Sequence, residues 1–302
     1  MTQKVRWDLR GVIVPLVTPF NEDLSVDFAG LAELVEYCIE ELECDGLVPC
    51  GTTGESPTLS HVEHDEVIRA VIRQTKNRVP VIASSGSNST REAVEMTRSA
   101  AEAGADATLQ VGPYYNKPSQ DGLFNHFAAI AAASSLPIII YNIPGRTCRN
   151  IEPGTIARLW RELPTVVGLK DCSNDLSQTM EIYRATDPDT FKIYCGEDLM
   201  TFGLLCHGSA GAIAAVAHVI GREVKAMCEA VWGGRLEEAR NLHYRTMDLV
   251  EALFCEPNPT PVKQALQWLG LPAGSVRPPL ERLTPAGQET LRSAMQAGGW
   301  LA

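Results

Sequence analysis

The sequence lacks the signatures of several common protein classes. Its 302 residues contain no apolar run of the roughly 20 residues that a membrane-spanning helix needs. Residues 1–10 carry charges and no apolar segment, so we expect no signal peptide. The nine cysteines include no C-x-x-C pair and the six histidines no H-E-x-x-H pattern. We therefore expect no metal, and reduced, mostly buried thiols in a cytoplasmic protein.

Positive charge is also scarce. The 26 Lys and Arg residues are outnumbered by 37 Asp and Glu residues, which gives a net charge of −11. This balance argues against nucleic acid or an anionic membrane as the main partner. A small anionic substrate stays open, because local charge decides its binding.

Apolar strand-like runs alternate with amphipathic helical stretches as far as residue 232. The predicted strands are Val12–Pro19, Asp45–Cys50, Val79–Ser84, Ala105–Val111, Leu136–Asn142, Val166–Asp171, Phe191–Cys195 and Ala210–Val216. Eight such strand–helix pairs predict an α/β fold, a (β/α)8 TIM barrel, over residues 1–232. An open doubly wound sheet is the alternative, but no G-x-G-x-x-G follows the first strand. Residues 233–302 contain only helical patterns, which predicts a C-terminal helical extension packed on the barrel.

Lys170 ends the sixth predicted strand, where the active sites of such barrels are built. It is either a surface or loop-bonded lysine, or an amine held in a dry pocket. Burial favours the neutral amine, which attacks carbonyl carbons. We favour the nucleophile.

Polar residues follow other predicted strands. Gly51–Ser56 (GTTGES) offers backbone N–H groups and two Thr hydroxyls to a carboxylate, or is an ordinary turn. Tyr114 and Tyr115 lie in a Gly/Pro-bounded loop, and we expect them to pack on something, as a subunit contact or in a proton relay. Tyr141 suits a general acid, and Arg146 suits a carboxylate holder. His61 and His64 share a helix face that we expect to be solvated.

Taken together, these motifs resemble the dihydrodipicolinate synthase / N-acetylneuraminate lyase family of class I pyruvate aldolases. The similarity extends from Val14–Phe20 (VPLVTPF) to Glu256–Lys263 (EPNPTPVK). Between them the motifs GTTGES, YYNKPS, YNIPGRT and GLK occur in order on successive strand ends. Each motif alone is weak, but the set is specific.

The resemblance implies a role for each matched residue. Lys170 matches the Schiff-base lysine and Tyr141 the proton-shuttling phenol, while Thr52 and Tyr115 match the rest of the hydroxyl relay. Tyr115 is implied to reach into a neighbouring subunit's site, in a homotetramer or at least a homodimer. The implied substrate-binding residues are Thr53, Ile213, Arg146 and Gly196. His61, Asn88, Glu92 and Tyr114 match a lysine feedback site, with polar interface packing as the alternative.

The implied reaction joins pyruvate to a small aldehyde, L-aspartate 4-semialdehyde. It forms 4-hydroxy-tetrahydrodipicolinate, in lysine and diaminopimelate biosynthesis, with no external cofactor. A 2-keto-3-deoxy sugar-acid aldolase or dehydratase of the same family is the alternative, and a non-catalytic barrel is a third hypothesis. Two segments depart from the family pattern, Asp171–Asn174 after the lysine and Ala83–Gly86 at the end of the third strand.

Overall fold

A computed structural model describes residues 4–301 of the chain. Eight parallel strands form a nearly closed barrel with helices following the strands, so the predicted TIM barrel is confirmed. The strands are β1 Gly11–Val14, β2 Gly46–Leu47, β3 Ile82–Ser84, β4 Ala107–Val111, β5 Ile138–Asn142, β6 Val166–Asp171, β7 Lys192–Cys195 and β8 Gly211–Ile213. Their order in the sheet is β2-β1-β8-β7-β6-β5-β4-β3.

Twelve α-helices are described between residues 4 and 301. Those of the barrel are α1 Phe28–Glu36, α2 His61–Thr75, α3 Thr90–Ala103, α4 Gln120–Ala131, α5 Pro144–Thr147, α6 Pro153–Glu162, α7 Leu176–Ala185, α8 Thr201–Cys206 and α9 Ala217–Trp232. Three more follow, α10 Leu236–Ala252, α11 Thr260–Trp268 and α12 Pro285–Gly298. The spacing of Ser60 and Glu63, three positions apart, predicts a capping box at the start of α2. The box is present, with each of the two side chains accepting from the backbone N–H of the other residue.

Several predicted strands were too long. The first was expected over Val12–Pro19 but pairs only over Gly11–Val14, and the second, expected over Asp45–Cys50, pairs only over Gly46–Leu47. Residues beyond these strand bounds, such as Val17, Thr18 and Cys50, are also buried, so an apolar run indicates burial rather than strand length. The short helix α5 and the π-helical turn Tyr37–Glu41 after α1 were not predicted.

Residues 4–10 and 80–213 form one compact unit. Its strands β3 to β8 pair in parallel, and its core packs α4, α6 and α7 with side chains such as Phe127, Leu159 and Ile182. The Tyr194 hydroxyl on β7 accepts from Trp7 Nε1 at 2.8 Å and donates to the Leu9 carbonyl at 2.7 Å. These two bonds fasten the N-terminal segment to the unit.

Residues 11–79 and 214–301 form a second compact unit. It holds β1 and β2, helices α1 and α2, and helices α9 to α12, with α10 packed on α9 and α12. His218 is fully buried, accepting at Nε2 from Val17 N–H and donating from Nδ1 to the Ala215 carbonyl. Burial lowers the pKa of His218 to about 4, so the ring is neutral at pH 7. The predicted boundary at residue 232 stays a prediction.

Arg277 connects the C-terminal segment to α2 and to two loops of the same unit. Its guanidinium donates to both carboxylate oxygens of Glu63, at 3.1 and 2.5 Å, and to the carbonyls of Leu24 and Thr58. The Phe20 ring lies 4.3 Å from the guanidinium carbon. The Arg277 hydrogen bond holds the pKa of Glu63 at about 2, below its ordinary value of 4.5.

Within residues 4–301, no helix has the length and apolar content needed to span a bilayer.

We predict that Glu63→Gln lowers the free energy of unfolding at pH 7 by about 1–2 kcal/mol, because it weakens a charge-assisted bond and a capping box. A depressed pKa stabilises the fold above the unfolded value of 4.5, and this stability is lost as pH falls toward 2. Denaturant titrations from pH 7 to pH 3 measure the difference, which should shrink below pH 4.5. The control is Glu66→Gln, an exposed carboxylate of the same helix. A difference that is independent of pH would contradict the prediction.

Candidate active site

Lys170 lies on β6, the strand whose predicted bounds Val166–Asp171 are those observed. All six residues of β6 are buried, and the Lys170 side chain is 6% exposed. Within residues 4–301 no carboxylate lies within 4.0 Å of its amine. Its Nζ lies 4.5 Å from the ring centroid of Tyr141, the residue paired with it on β5. The structure thus brings together the two residues that the sequence placed at the centre of the chemistry.

Asp171 follows the lysine but serves another purpose. One carboxylate oxygen accepts from the Thr179 hydroxyl of α7 at 2.6 Å, and the other from Ser173 N–H at 2.9 Å. Successive strand residues point to opposite faces, so Asp171 faces the helix layer while Lys170 faces inward. The aspartate therefore fixes the loop that leads from β6 into α7.

Gly196, just after β7, leaves room for the lysine side chain. A Cβ at this position would lie 2.7 Å from both Cγ and Cε of Lys170 and 2.4 Å from the sulfur of Cys172. Any larger residue would displace the lysine. Burial raises the pKa of Cys172 to about 12, so Cys172 is a neutral thiol at pH 7, and its sulfur lies near the Lys170 side chain. Ile213, the last residue of β8, is 1% exposed.

The loop that carries Arg146 is shaped by a chain of amides. Asn142, at the end of β5, donates to Asn150 at 2.8 Å and accepts from Ile151 N–H at 3.0 Å. Asn150 in turn donates to Gln178 of α7 at 2.6 Å. Helix α5 spans the segment between them, and its Arg146 side chain is exposed. The guanidinium is therefore presented from a loop whose two ends are fixed.

Tyr115 does not pack within its own chain. Its side chain is 89% exposed and that of Tyr114 is 39% exposed, so the single chain does not cover the Tyr115 ring, and packing on a second subunit stays a prediction. Tyr115 has a backbone φ of 71°, an unusual value for a bulky residue. Such a conformation, with an apolar ring held out into solvent, is typical of a residue that serves an interface.

Thr52 and Thr53 belong to the second unit, in the turn after β2. The turn is closed by the bonds of Gly54 N–H to the Gly51 carbonyl and of Glu55 N–H to the Thr52 carbonyl, each 3.1 Å. Thr53 is 3% exposed, whereas Thr52 is half-buried.

Glu55 in this turn has a partner that its neighbours in sequence do not indicate. The Glu55 carboxylate is buried and lies 2.6 Å from Lys263 Nζ, whose side chain is 2% exposed. Burial lowers the pKa of Lys263, and Glu55 opposes that shift. The only signal in the sequence was that both residues fall inside quoted motifs.

The four residues matched to a lysine feedback site are divided between the units. Glu92 accepts from the Ser87 hydroxyl at 2.8 Å, and the Asn88 carbonyl accepts from Asn116 Nδ2 at 2.9 Å. Tyr114 lies in the same unit, whereas His61 is exposed on the first turn of α2 in the other unit. The predicted solvated face is wrong for His64, which is 3% exposed and faces the core. Across residues 4–301, no group of three or more His, Cys, Asp or Glu side chains is placed to hold a metal ion.

Comparisons with known proteins agree with this geometry. The family model described as "Dihydrodipicolinate synthetase family" matches residues 8–298. The chain is 46% identical to the 4-hydroxy-tetrahydrodipicolinate synthase of Geotalea daltonii, over 95% of this chain and 98% of that one. It is 45% identical to the same enzyme of Nitratidesulfovibrio vulgaris, over 96% and 98%.

Solved structures give the same result. A lysine-bound synthase from Cyanidioschyzon merolae superimposes with a TM-score of 0.95 at 44% identity, covering 98% of this chain and 100% of that one. A pyruvate complex of the Acinetobacter baumannii synthase has a TM-score of 0.93 at 40% identity, covering 97% and 100%. The chain therefore belongs to the dihydrodipicolinate synthetase family.

Proposed function

We propose that this protein is a 4-hydroxy-tetrahydrodipicolinate synthase, a class I lyase that condenses pyruvate with L-aspartate 4-semialdehyde in lysine and diaminopimelate biosynthesis. The observation that carries the proposal is the amine of Lys170, buried beside the Tyr141 ring with no carboxylate partner in the described chain. Relatives of nearly equal length that carry this name support it.

The chemistry begins at Lys170. Its neutral amine attacks the ketone of pyruvate, and Tyr141 donates and removes protons as water leaves and an imine forms. The protonated imine withdraws electrons, so the methyl carbon loses a proton and becomes an enamine. This carbon attacks the aldehyde carbon of the second substrate. The amino group of that substrate then closes the ring and displaces the lysine. No external cofactor is needed, because the imine supplies the electron sink.

We assign the remaining roles by the family pattern. Thr52 and Tyr115 complete the hydroxyl relay with Tyr141. Thr53, Ile213 and Gly196 hold pyruvate, and Arg146 receives the carboxylate of the aldehyde. The same lysine would also serve a 2-keto-3-deoxy sugar-acid aldolase or dehydratase, but the curated relatives are synthases and do not favour that alternative.

We further propose a homotetramer or at least a homodimer. The exposed ring of Tyr115 supports it, since a relay residue held out into solvent needs a second subunit to meet a site. Oligomers are not universal among relatives, because one solved structure, 36% identical, is described as a monomeric synthase variant. Sedimentation velocity measures the mass, and a monomer that is fully active would exclude this role for Tyr115.

A cytoplasmic location is supported by nine free cysteines, six of them buried. Neither nucleic acid nor a membrane is a proposed partner, given the net charge of −11. Cell fractionation tests the location.

We predict that borohydride added with pyruvate traps an imine on Lys170, seen by mass spectrometry as a pyruvate-derived mass on its peptide. Lys170→Ala should abolish the adduct and lower kcat by at least about 10³-fold, because no other amine replaces the nucleophile. Lys192→Ala, on the neighbouring strand, is the matched control and should keep the adduct. Absence of an adduct in the wild-type protein would exclude imine chemistry.

We predict that Arg146→Ala lowers kcat/KM for aspartate semialdehyde by about 10- to 100-fold, since one charge-assisted bidentate contact is lost. Pyruvate trapping at Lys170 should be unchanged. Arg149→Ala, in the same loop, serves as the control. Equal losses for both substrates would assign Arg146 to pyruvate or to the fold instead.

We propose that L-lysine inhibits the enzyme through His61, Asn88, Glu92 and Tyr114, as the family pattern and the lysine-bound relative suggest. Glu92→Gln should weaken inhibition by about 10-fold, because a carboxylate that faces an ammonium group is lost. Glu102→Gln, exposed on the same helix, should leave inhibition unchanged. Wild-type activity that is insensitive to millimolar L-lysine would refute this regulation.

A further inference from the structure

The turn after β2 fixes the backbone of Thr53 but not its hydroxyl. Hydrogen bonds on either side close the turn, from Gly54 N–H and Ser56 N–H to the Gly51 carbonyl, at 3.1 and 3.3 Å. A threonine side chain still has staggered alternatives at χ1, and its hydroxyl proton rotates. Something outside the turn must therefore decide where that proton points.

Asn258 supplies this contact from 205 positions further along the chain. Its Nδ2 donates to Thr53 Oγ1 at 2.9 Å, and the two residues are 8% and 3% exposed. A hydroxyl oxygen that accepts a hydrogen bond at one lone pair directs its own O–H away from that donor. Within the described residues, no acceptor for the Thr53 proton is found in the protein. The hydroxyl proton can therefore be donated to a bound ligand.

The same turn is held by two other residues of the C-terminal segment, Lys263 and Arg277. Glu55 is paired with Lys263 at 2.6 Å and accepts from Arg277 N–H at 2.9 Å. Lys263 also donates to the Ser275 carbonyl at 2.9 Å. These bonds hold the C-terminal segment at a fixed distance from the turn. The position of the Asn258 amide relative to the Thr53 hydroxyl is therefore restricted.

Stability does not explain the choice of asparagine. Its Oδ1 is buried and has no hydrogen-bond partner in the described part of the chain, which costs free energy. An apolar residue of similar volume would avoid that cost. A position that retains an unsatisfied amide next to a substrate-binding hydroxyl is typical of a functional constraint.

We propose that Asn258 is a positioning residue for pyruvate, acting through Thr53. By donating to Oγ1, it holds the Thr53 proton ready to bond the substrate carboxylate. The inference rests on the proposed function, which gives Thr53 its role with pyruvate.

The test measures the apparent dissociation constant of pyruvate by borohydride trapping at Lys170, over a range of pyruvate concentrations. Asn258→Asp replaces the donor with a carboxylate that accepts a hydrogen bond from the Thr53 hydroxyl and repels the carboxylate of pyruvate. The apparent dissociation constant of pyruvate should therefore rise at least about 10-fold. Asn258→Ala removes the donor alone and should raise it less, by about 3-fold. Asn241→Asp, exposed on α10, introduces the same charge and should leave it unchanged.

A double-mutant cycle separates positioning from a structural role. In a Thr53→Val background, Asn258→Ala should change the constant by less than about 2-fold, because the hydroxyl it orients is gone. Losses that multiply in the double mutant would overturn the proposal. So would single variants that lower the melting temperature while binding pyruvate as the wild type does.

The two proposals fail in different ways. If the wild-type protein forms no adduct, the proposed function is wrong. If it forms the adduct and the Asn258 variants form it at the same pyruvate concentrations, the function stands and the positioning role is excluded.

Discussion

The chemistry proposed for this protein depends on a buried lysine that has no carboxylate partner among the described residues. Lys170 lies on a strand that is buried on both faces, and its amine lies over the Tyr141 ring rather than beside a carboxylate. A carboxylate at hydrogen-bond distance would hold the amine as an ammonium ion, which cannot attack a ketone. Asp171, one residue away, is prevented from doing so by strand alternation and by its bond to Thr179.

A second buried lysine shows the opposite arrangement. Lys263 lies 2.6 Å from Glu55, and its amine joins the C-terminal segment to the turn after β2. Both lysines are at most 6% exposed, so burial alone does not separate the proposed nucleophile from a structural ion pair. Each amine also lies over an aromatic ring, Tyr141 for Lys170 and Phe20 for Lys263. Within the described residues, what separates them is the carboxylate of Glu55, which pairs with Lys263 alone. Removing one member of the structural pair would leave a buried charge uncompensated.

Local signals predicted much of the fold. The alternation of strands and helices, the bounds of β6 and the capping box of α2 all follow from neighbours in sequence, and the structure confirms them. Contacts between distant residues left no such signal. Nothing near Thr53 indicates that Asn258 donates to it, and nothing in the run His61–His64 shows that the second histidine faces the core. The exposure of Tyr115 on the single chain agrees with its implied role in a neighbouring subunit's site, which itself stays a prediction.

The contacts between the C-terminal segment and the turn after β2 can form only late in the synthesis of the chain. Asn258, Lys263 and Arg277 all act on residues 53 to 63, more than 200 positions earlier. A chain emerging from the ribosome can pair its first strands long before these three residues exist. The contacts that these residues make to the threonine turn can form only once residue 277 has been made. A nascent chain that already contains all eight strands therefore still lacks the side chains that hold this turn.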